Sequence, residues 1–307
     1  MVCTAIATFG VGCATTHSAD PAPLTISPTP WQTMIADAAT ADVVIICEQH
    51  SHPVGLPMMA QLFADTLAEA QAAGHRPALA LEFIERDHQL ALDDYLAGLI
   101  DEEAFRSRTN RTETNYPAAH RDMVEAARAA NLPVYAANAP RRYVRMARTE
   151  GFDRLRAMTP TQRETFVIPD PMTTGPYRDR FFDLFREMMG GGQGASAKEA
   201  AAEQAQGQPG PDAEALNAQI EAFYRSQQVW DATMADTVAR AVRAGHRPVV
   251  LVIGQFHSDY NGGTVDMIDR ALPSKRIVTI SMVSADEPTT EDINRADYLL
   301  MVGPTPE

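Results

Sequence analysis

The chain is poor in cysteine: Cys3, Cys13 and Cys47 are the only three in 307 residues, too few for a disulfide framework. No apolar run reaches the roughly 18–20 residues of a membrane-spanning helix. Basic residues are scarce. Lys and Arg number 26 against 40 Asp and Glu, a formal net charge of −14. A nucleic-acid binder needs a basic stripe to meet phosphates, so no nucleic-acid partner is expected. Several site signatures are also missing: a P-loop, a Gly-x-Gly-x-x-Gly turn after a strand, a His-Glu-x-x-His pair and a Gly-x-Ser-x-Gly elbow. Nucleotide binding and serine hydrolase chemistry therefore have no support in the sequence.

What is there is an ordinary globular composition, 45% hydrophobic and 21% charged, with enough residues for a sizeable core. Short apolar runs alternate with helical patterns. Strands are expected at residues 42–47, 77–82, 133–137, 248–253 and 276–282, with a last edge strand at 298–302. Helices are expected at 31–39, 54–73, 88–97, 102–108, 118–130, 141–149, 213–244 and 265–271. The strands read as continuous apolar stretches rather than alternating ones. That pattern implies an α/β fold, a mostly parallel sheet of about five strands flanked by helices on both faces. Residues 150–189 read as a helical cap. Residues 190–212 are rich in Gly, Ala and Gln, the composition of a flexible low-complexity insertion.

The amino terminus differs from the rest. Residues 2–12 are apolar and small and end at Val11-Gly12-Cys13, the pattern of a lipoprotein signal in which Cys13 carries the lipid. No Lys or Arg precedes the stretch, which departs from a standard signal. Residues 17–30 hold four prolines, a composition unable to bury a core. The expected organisation is a signal and tether over residues 1–30 and one α/β domain over 31–303.

Three polar clusters follow three of the apolar runs. Val43-Val44-Ile45-Ile46-Cys47 leads into Glu48-Gln49-His50. Ala78-Leu79-Ala80-Leu81 leads into Glu82, with Arg86 four residues on. Val249-Val250-Leu251-Val252-Ile253 leads into Gly254-Gln255-Phe256-His257. In an open parallel sheet, ligands bind outside the carboxyl ends of the strands. If the three strands are neighbours, Glu48, His50, Glu82, Arg86 and His257 share one rim. Glu48 and His50, two apart on extended backbone, point the same way and can act as an acid–base pair or, with His257, as ligands of a divalent metal ion. Arg86 is the expected partner of Glu82, since a lone buried carboxylate is costly. His52 reads as an exposed loop histidine. Gly74-His75-Arg76-Pro77 and Gly245-His246-Arg247-Pro248 are identical turns that belong at the opposite rim. Cys47 reads as a small core residue.

With these motifs in hand, the chain resembles the ChaN family of haem-binding uptake proteins. The resemblance rests on residues 44–50, Leu79-Ala80-Leu81-Glu82-Phe83, Asn138-Ala139-Pro140-Arg141, Gln227-Gln228-Val229-Trp230-Asp231 and Gly254-Gln255-Phe256-His257 with Gly262-Gly263 beyond. They run in family order from about residue 40 to 283. Cys47 stands where relatives often have glycine. The resemblance implies haem as cofactor, a tyrosine as axial ligand, a lipid-anchored protein of the cell envelope, a possible homodimer, and outer-membrane or periplasmic haem and iron uptake components as partners. Tyr177 is the candidate ligand, with Arg178 and Arg180 as cations for the propionates; tyrosine is an established axial ligand type. The same wider group includes Tiki proteases and erythromycin esterases, which implies the alternative of a metal-dependent hydrolase working at the rim.

Overall fold

The computed structural model describes residues 30–189 and 211–305. The lipidation candidate Cys13, the tether and nearly all of the low-complexity insertion lie outside the described residues.

The expected alternation of strand and helix is realised as a single six-stranded sheet, every pair parallel, in the order β3-β2-β4-β1-β5-β6. The strands are β1 (Val43–Glu48), β2 (Ala78–Glu85), β3 (Val134–Asn138), β4 (Val249–Gly254), β5 (Ile277–Val283) and β6 (Tyr298–Met301). The sixth is the edge strand foreseen at residues 298–302. β4, late in sequence, stands between β1 and β2. All six residues of β1 and all six of β4 are buried, which is why both read as unbroken apolar runs.

Each face of the sheet carries its own core. Val44, Ile46, Leu79, Leu81, Val250, Val252 and Ile280 pack against α1 (Trp31–Thr40), α2 (Gly55–Ala72) and α5 (Ala118–Ala129). On the other face Val43, Ile45, Ala80, Leu251 and Ile253 meet Met234, Val238 and Val242 of a long helix, Pro211–Arg243. Counting α3 (Gln89–Leu96), α4 (Glu102–Thr109), α6 (Arg141–Glu150), α7 (Phe152–Arg156), α8 (Pro160–Arg163) and α9 (Pro176–Met189), that long helix is α10; α11 (Thr264–Ala271) completes its layer. Burying one Ile or Leu stabilises by about 1.5–3 kcal/mol, so these two layers fix the strand order and with it the rim.

Residues 152–189 hold α7, α8 and the longer α9. Tyr177, Phe181 and Phe182 of α9 pack on Ile220 and Tyr224 of α10 in a small core of their own. No helix among the described residues is long and apolar enough to cross a membrane.

Candidate functional site

The register Glu48↔Gly254 and Leu81↔Val252 brings the ends of β1, β4 and β2 side by side. The three expected clusters therefore do meet. The first forms around Glu48, which is buried. His50 Nδ1 donates to its Oε1 at 2.9 Å and His120 Nε2 donates to its Oε2 at 2.7 Å. Burial raises the Glu48 pKa, but the bonds from His120 and His50 outweigh it and hold the carboxyl below its ordinary range. The bond to Glu48 in turn raises the His50 pKa.

The second cluster surrounds His257. Its Nδ1 donates to Asp231 Oδ1 at 2.6 Å, while Nε2 lies 3.5 Å from Glu82 Oε1. Glu82 is anchored by the backbone N–H of Gly254, which donates to Oε2 at 2.6 Å. Burial lowers the His257 pKa, yet the flanking Glu82 and Asp231 carboxylates raise it further than burial lowers it. Asp231 is fully buried and accepts from Tyr177, Gln228 and Thr264 as well as His257. Those four donors fill its acceptor capacity.

His50 stands between the clusters. Its imidazole is 61% exposed and edge-on to Phe83, with ring centroids 5.7 Å apart. Gly254 makes this position possible: a Cβ there would stand 2.9 Å from His50 Nε2 and 2.8 Å from Cε1. Two cavities open on either side of this ring. One, of about 470 Å³, is lined by Glu48, Phe83, Arg111, His120, Arg141 and Trp230. The other, of about 830 Å³, is lined by Arg180, Leu184, Gln227, Phe256, His257 and Tyr260. His50 and Glu48 line both. Asp259 lies on the wall of the second, and burial pushes its pKa up to about 6 despite a hydrogen bond from Ser281.

Several expectations are corrected. Arg86 does not face Glu82. Its guanidinium donates to Thr233 O, Asp236 Oδ2 and Thr237 Oγ1 of α10. The cause is a register shift in β2 between Leu81 and Glu85, followed by a tight turn over Arg86–His88 that swings the side chain off the rim. Tyr177 is not an open iron ligand. It is buried, donates to Asp231 Oδ2 at 2.8 Å and accepts from Gln227 Nε2 at 3.0 Å. Burial and the nearby Asp231 carboxylate push its phenol well above the usual value, the opposite of what a tyrosinate needs. Gly262 and Gly263 exist for this ring, since a Cβ at either would come within 2.7 Å of it. Arg178 turns outward to Glu221, at 2.6 Å, and stacks over Phe182. Arg180 alone of that trio reaches a cavity, where it donates to Asp259 O at 2.8 Å and covers Tyr260. His52 is buried rather than exposed, its Nδ1 accepting from Gly55 N at 3.0 Å.

The metal reading of Glu48, His50 and His257 finds no support here, since these residues are bonded chiefly to neighbouring side chains. Both Glu48 oxygens are taken by imidazoles, and His257 Nδ1 is taken by Asp231. Among the described residues, the one group of three such donors close enough to share an ion is Glu85, Asp87 and His88, at the outer end of β2.

One site residue, His120, escaped sequence reasoning. His120 lies on the α5 stripe with Met123, Val124 and Ala127, so its signal was a histidine on an apolar face. Asp231 stood within a recognised motif; three of its four bonds come from distant segments and the fourth from Gln228 on the same helix.

Comparison with known proteins bears on the family and the fold. The family profile described as "Haem-binding uptake, Tiki superfamily, ChaN" matches residues 34–268. The solved structure titled "Cofacial heme binding to ChaN of Campylobacter jejuni" is similar over 87% of this chain and 90% of that one, at 17% identity and a TM-score of 0.60. The type III effector HopBA1 aligns over 93% of this chain and 100% of its own at 15% identity and a TM-score of 0.47. An erythromycin esterase mutant in its open conformation covers 82% of this chain and 72% of its own, at 11% and 0.44. No curated protein matches the sequence significantly.

Proposed function

The chain belongs to the ChaN family of haem-binding uptake proteins, within the Tiki superfamily, and from that premise we propose that it binds haem in the cleft formed by the two cavities at His50. One observation carries this reading: two cavities of about 470 and 830 Å³, one lined by Phe83 and the other by Phe256, meet at a single exposed imidazole. Sites for cofactors of this size are concave and mainly apolar, with a few placed polar groups. Here Phe83, Leu56, Leu184 and Phe256 supply apolar wall, and Arg111, Arg141 and Arg180 supply cations for propionates. Bound haem would bring one-electron iron chemistry; the protein's part is to seat and orient it.

The place of action in this proposal is the cell envelope, with lipid on Cys13 as anchor and uptake components of the outer membrane or periplasm as partners. The Val11-Gly12-Cys13 start supports it. Haemin titration of the purified protein, followed in the Soret region, tests the central claim: saturable binding is expected, and its absence would overturn it. Radiolabelled palmitate incorporation that disappears in Cys13→Ala tests the anchor.

A second reading is favoured by the Asp231–His257–Glu82 alignment beside His50 and Glu48. Two imidazoles, each backed by a carboxylate in one cleft, can pass a proton to and from a bound substrate. On this reading the protein hydrolyses an ester or amide at the rim. Assay of the purified protein on ester and peptide panels, with bound metal measured, tests it. Activity lost in His257→Ala is expected if the reading holds.

A further inference from the structure

We propose that a third cavity, beside α7 and α8, binds anionic phospholipid and seats this face of the domain on a membrane. The proposal rests on the envelope reading above for the place where such a surface is met.

The cavity holds about 500 Å³ and shares no lining residue with the two that form the haem cleft. Met158, Pro160, Phe166, Val167 and Ile168 give it an apolar lining, and Arg163 and Glu164 are its charged residues. The walls are held from behind. A capping box between Thr159 and Gln162 fixes the turn that carries Arg163. Arg86 Nη1 donates to Glu164 O at 3.5 Å, and Val167 N donates to Thr233 Oγ1 at 2.9 Å. Phe166 packs on Tyr143 with ring centroids 4.6 Å apart. An apolar lining with a few placed charges suits an amphiphile better than a free ion.

The sign of that amphiphile follows from the charge around the cavity. Residues 141–164 hold seven arginines against three acidic residues, in a chain of net charge −14. Arg154 and Arg156 are paired with Glu150 and Asp153, but Arg145 and Arg163 are exposed and carry no ion pair among the described residues. Tyr143, Val144, Leu155 and Phe166 share one core, so the arginine-rich helices and the cavity belong to one packed unit. Salt screens charges beyond about 10 Å, so the acidic remainder of the chain does not cancel this patch. Guanidinium groups meet phosphate through paired N–H donors. An acidic protein would meet the arginines but make no use of the apolar lining; a phospholipid uses both. The bilayer lies within reach: seventeen residues lead from Cys13 to Pro30, at most about 60 Å when extended. A tether limits distance and leaves the facing side free, which this patch would then choose.

The test uses the full-length chain carrying Cys13→Ala, so that no acyl group contributes. Co-sedimentation with vesicles of phosphatidylglycerol and phosphatidylcholine is compared with phosphatidylcholine alone. Binding to the anionic vesicles should be at least about tenfold tighter and should weaken as salt rises. Removing one arginine at an anionic surface weakens binding roughly fivefold, and Arg163→Gln and Arg145→Gln should each show that loss. Ile168→Ser should bind more weakly at unchanged charge, and Glu164→Gln more tightly. Arg243→Gln, which removes the same charge at the last turn of α10, should match the starting protein. Circular dichroism checks that each variant is folded. Equal binding to both vesicle types would overturn the proposal and leave the patch to an acidic protein. So would an equal loss in Arg243→Gln, or binding of inorganic phosphate without any preference for anionic vesicles. Vesicle binding intact, with no palmitate incorporated at Cys13, would overturn the anchor and not this site.

Discussion

The Tyr177 hydroxyl donates to Asp231 Oδ2 at 2.8 Å, and that bond ties the cap to the sheet rim. It joins α9 to α10 next to His257, in a place water does not reach. Removing it leaves a buried carboxylate with one donor fewer. Tyr177→Phe is expected to destabilise the fold by about 1–3 kcal/mol, read as a lower urea midpoint. The haem spectrum of the variant should be unchanged. A lost Soret band would show that the phenol reaches iron after all.

His257 predicts how stability varies with pH. Burial disfavours its charge, but Glu82 and Asp231 favour it more strongly, so the folded-state pKa lies above the ordinary 6.5. Its contribution to stability is fully present below 6.5 and fades as pH rises through the raised folded value. The urea midpoint should therefore fall between pH 6 and pH 8, and His257→Gln should flatten that slope. An unchanged slope in the variant would locate the titration elsewhere.

Gly254→Ala tests the cradle under His50. The new methyl would stand within 3 Å of the ring, which is the mobile end of an exposed side chain. The fold should absorb this with little loss of thermal stability. The imidazole, however, must move, and haemin affinity should fall by roughly tenfold, or ~1.4 kcal/mol. Unchanged affinity would mean that the position of His50 does not matter to the ligand.

Arg86 makes a contrasting prediction. Its guanidinium holds Thr233, Asp236 and Thr237 from behind the rim. Arg86→Ala should cost about 2–4 kcal/mol of stability, because the Thr233 carbonyl and Thr237 hydroxyl lose a charged donor. Its haem spectrum should match the wild type.

How much of this was legible in the sequence depends on how local the cause was. β1 and β4 announced themselves as strands because both faces of the sheet are covered and every residue is apolar until the rim. Glu48, Glu82 and His257 then stood out as polar groups ending apolar runs. Arg86 misled because a four-residue spacing implies a shared side only on unbroken extended backbone, and the shift after Leu81 breaks it. His120 was hidden because α5 would read as amphipathic with or without it. Its partner is 72 residues away, a distance only the folded sheet closes. Tyr177 was read from composition, cations beside aromatics, and composition says nothing about which ring faces inward.

The central position of β4 has a consequence for biogenesis. Glu48 and Glu82 are neighbours of Gly254, so the strand that joins them leaves the ribosome about 170 residues after β2. Until then β1 and β2 each lack a hydrogen-bonded partner on that side and remain open edges. Contacts this far apart in sequence are slow to form. The cleft is therefore a late event in synthesis, and a nascent chain stalled before β4 would carry the residues of two clusters with no site between them.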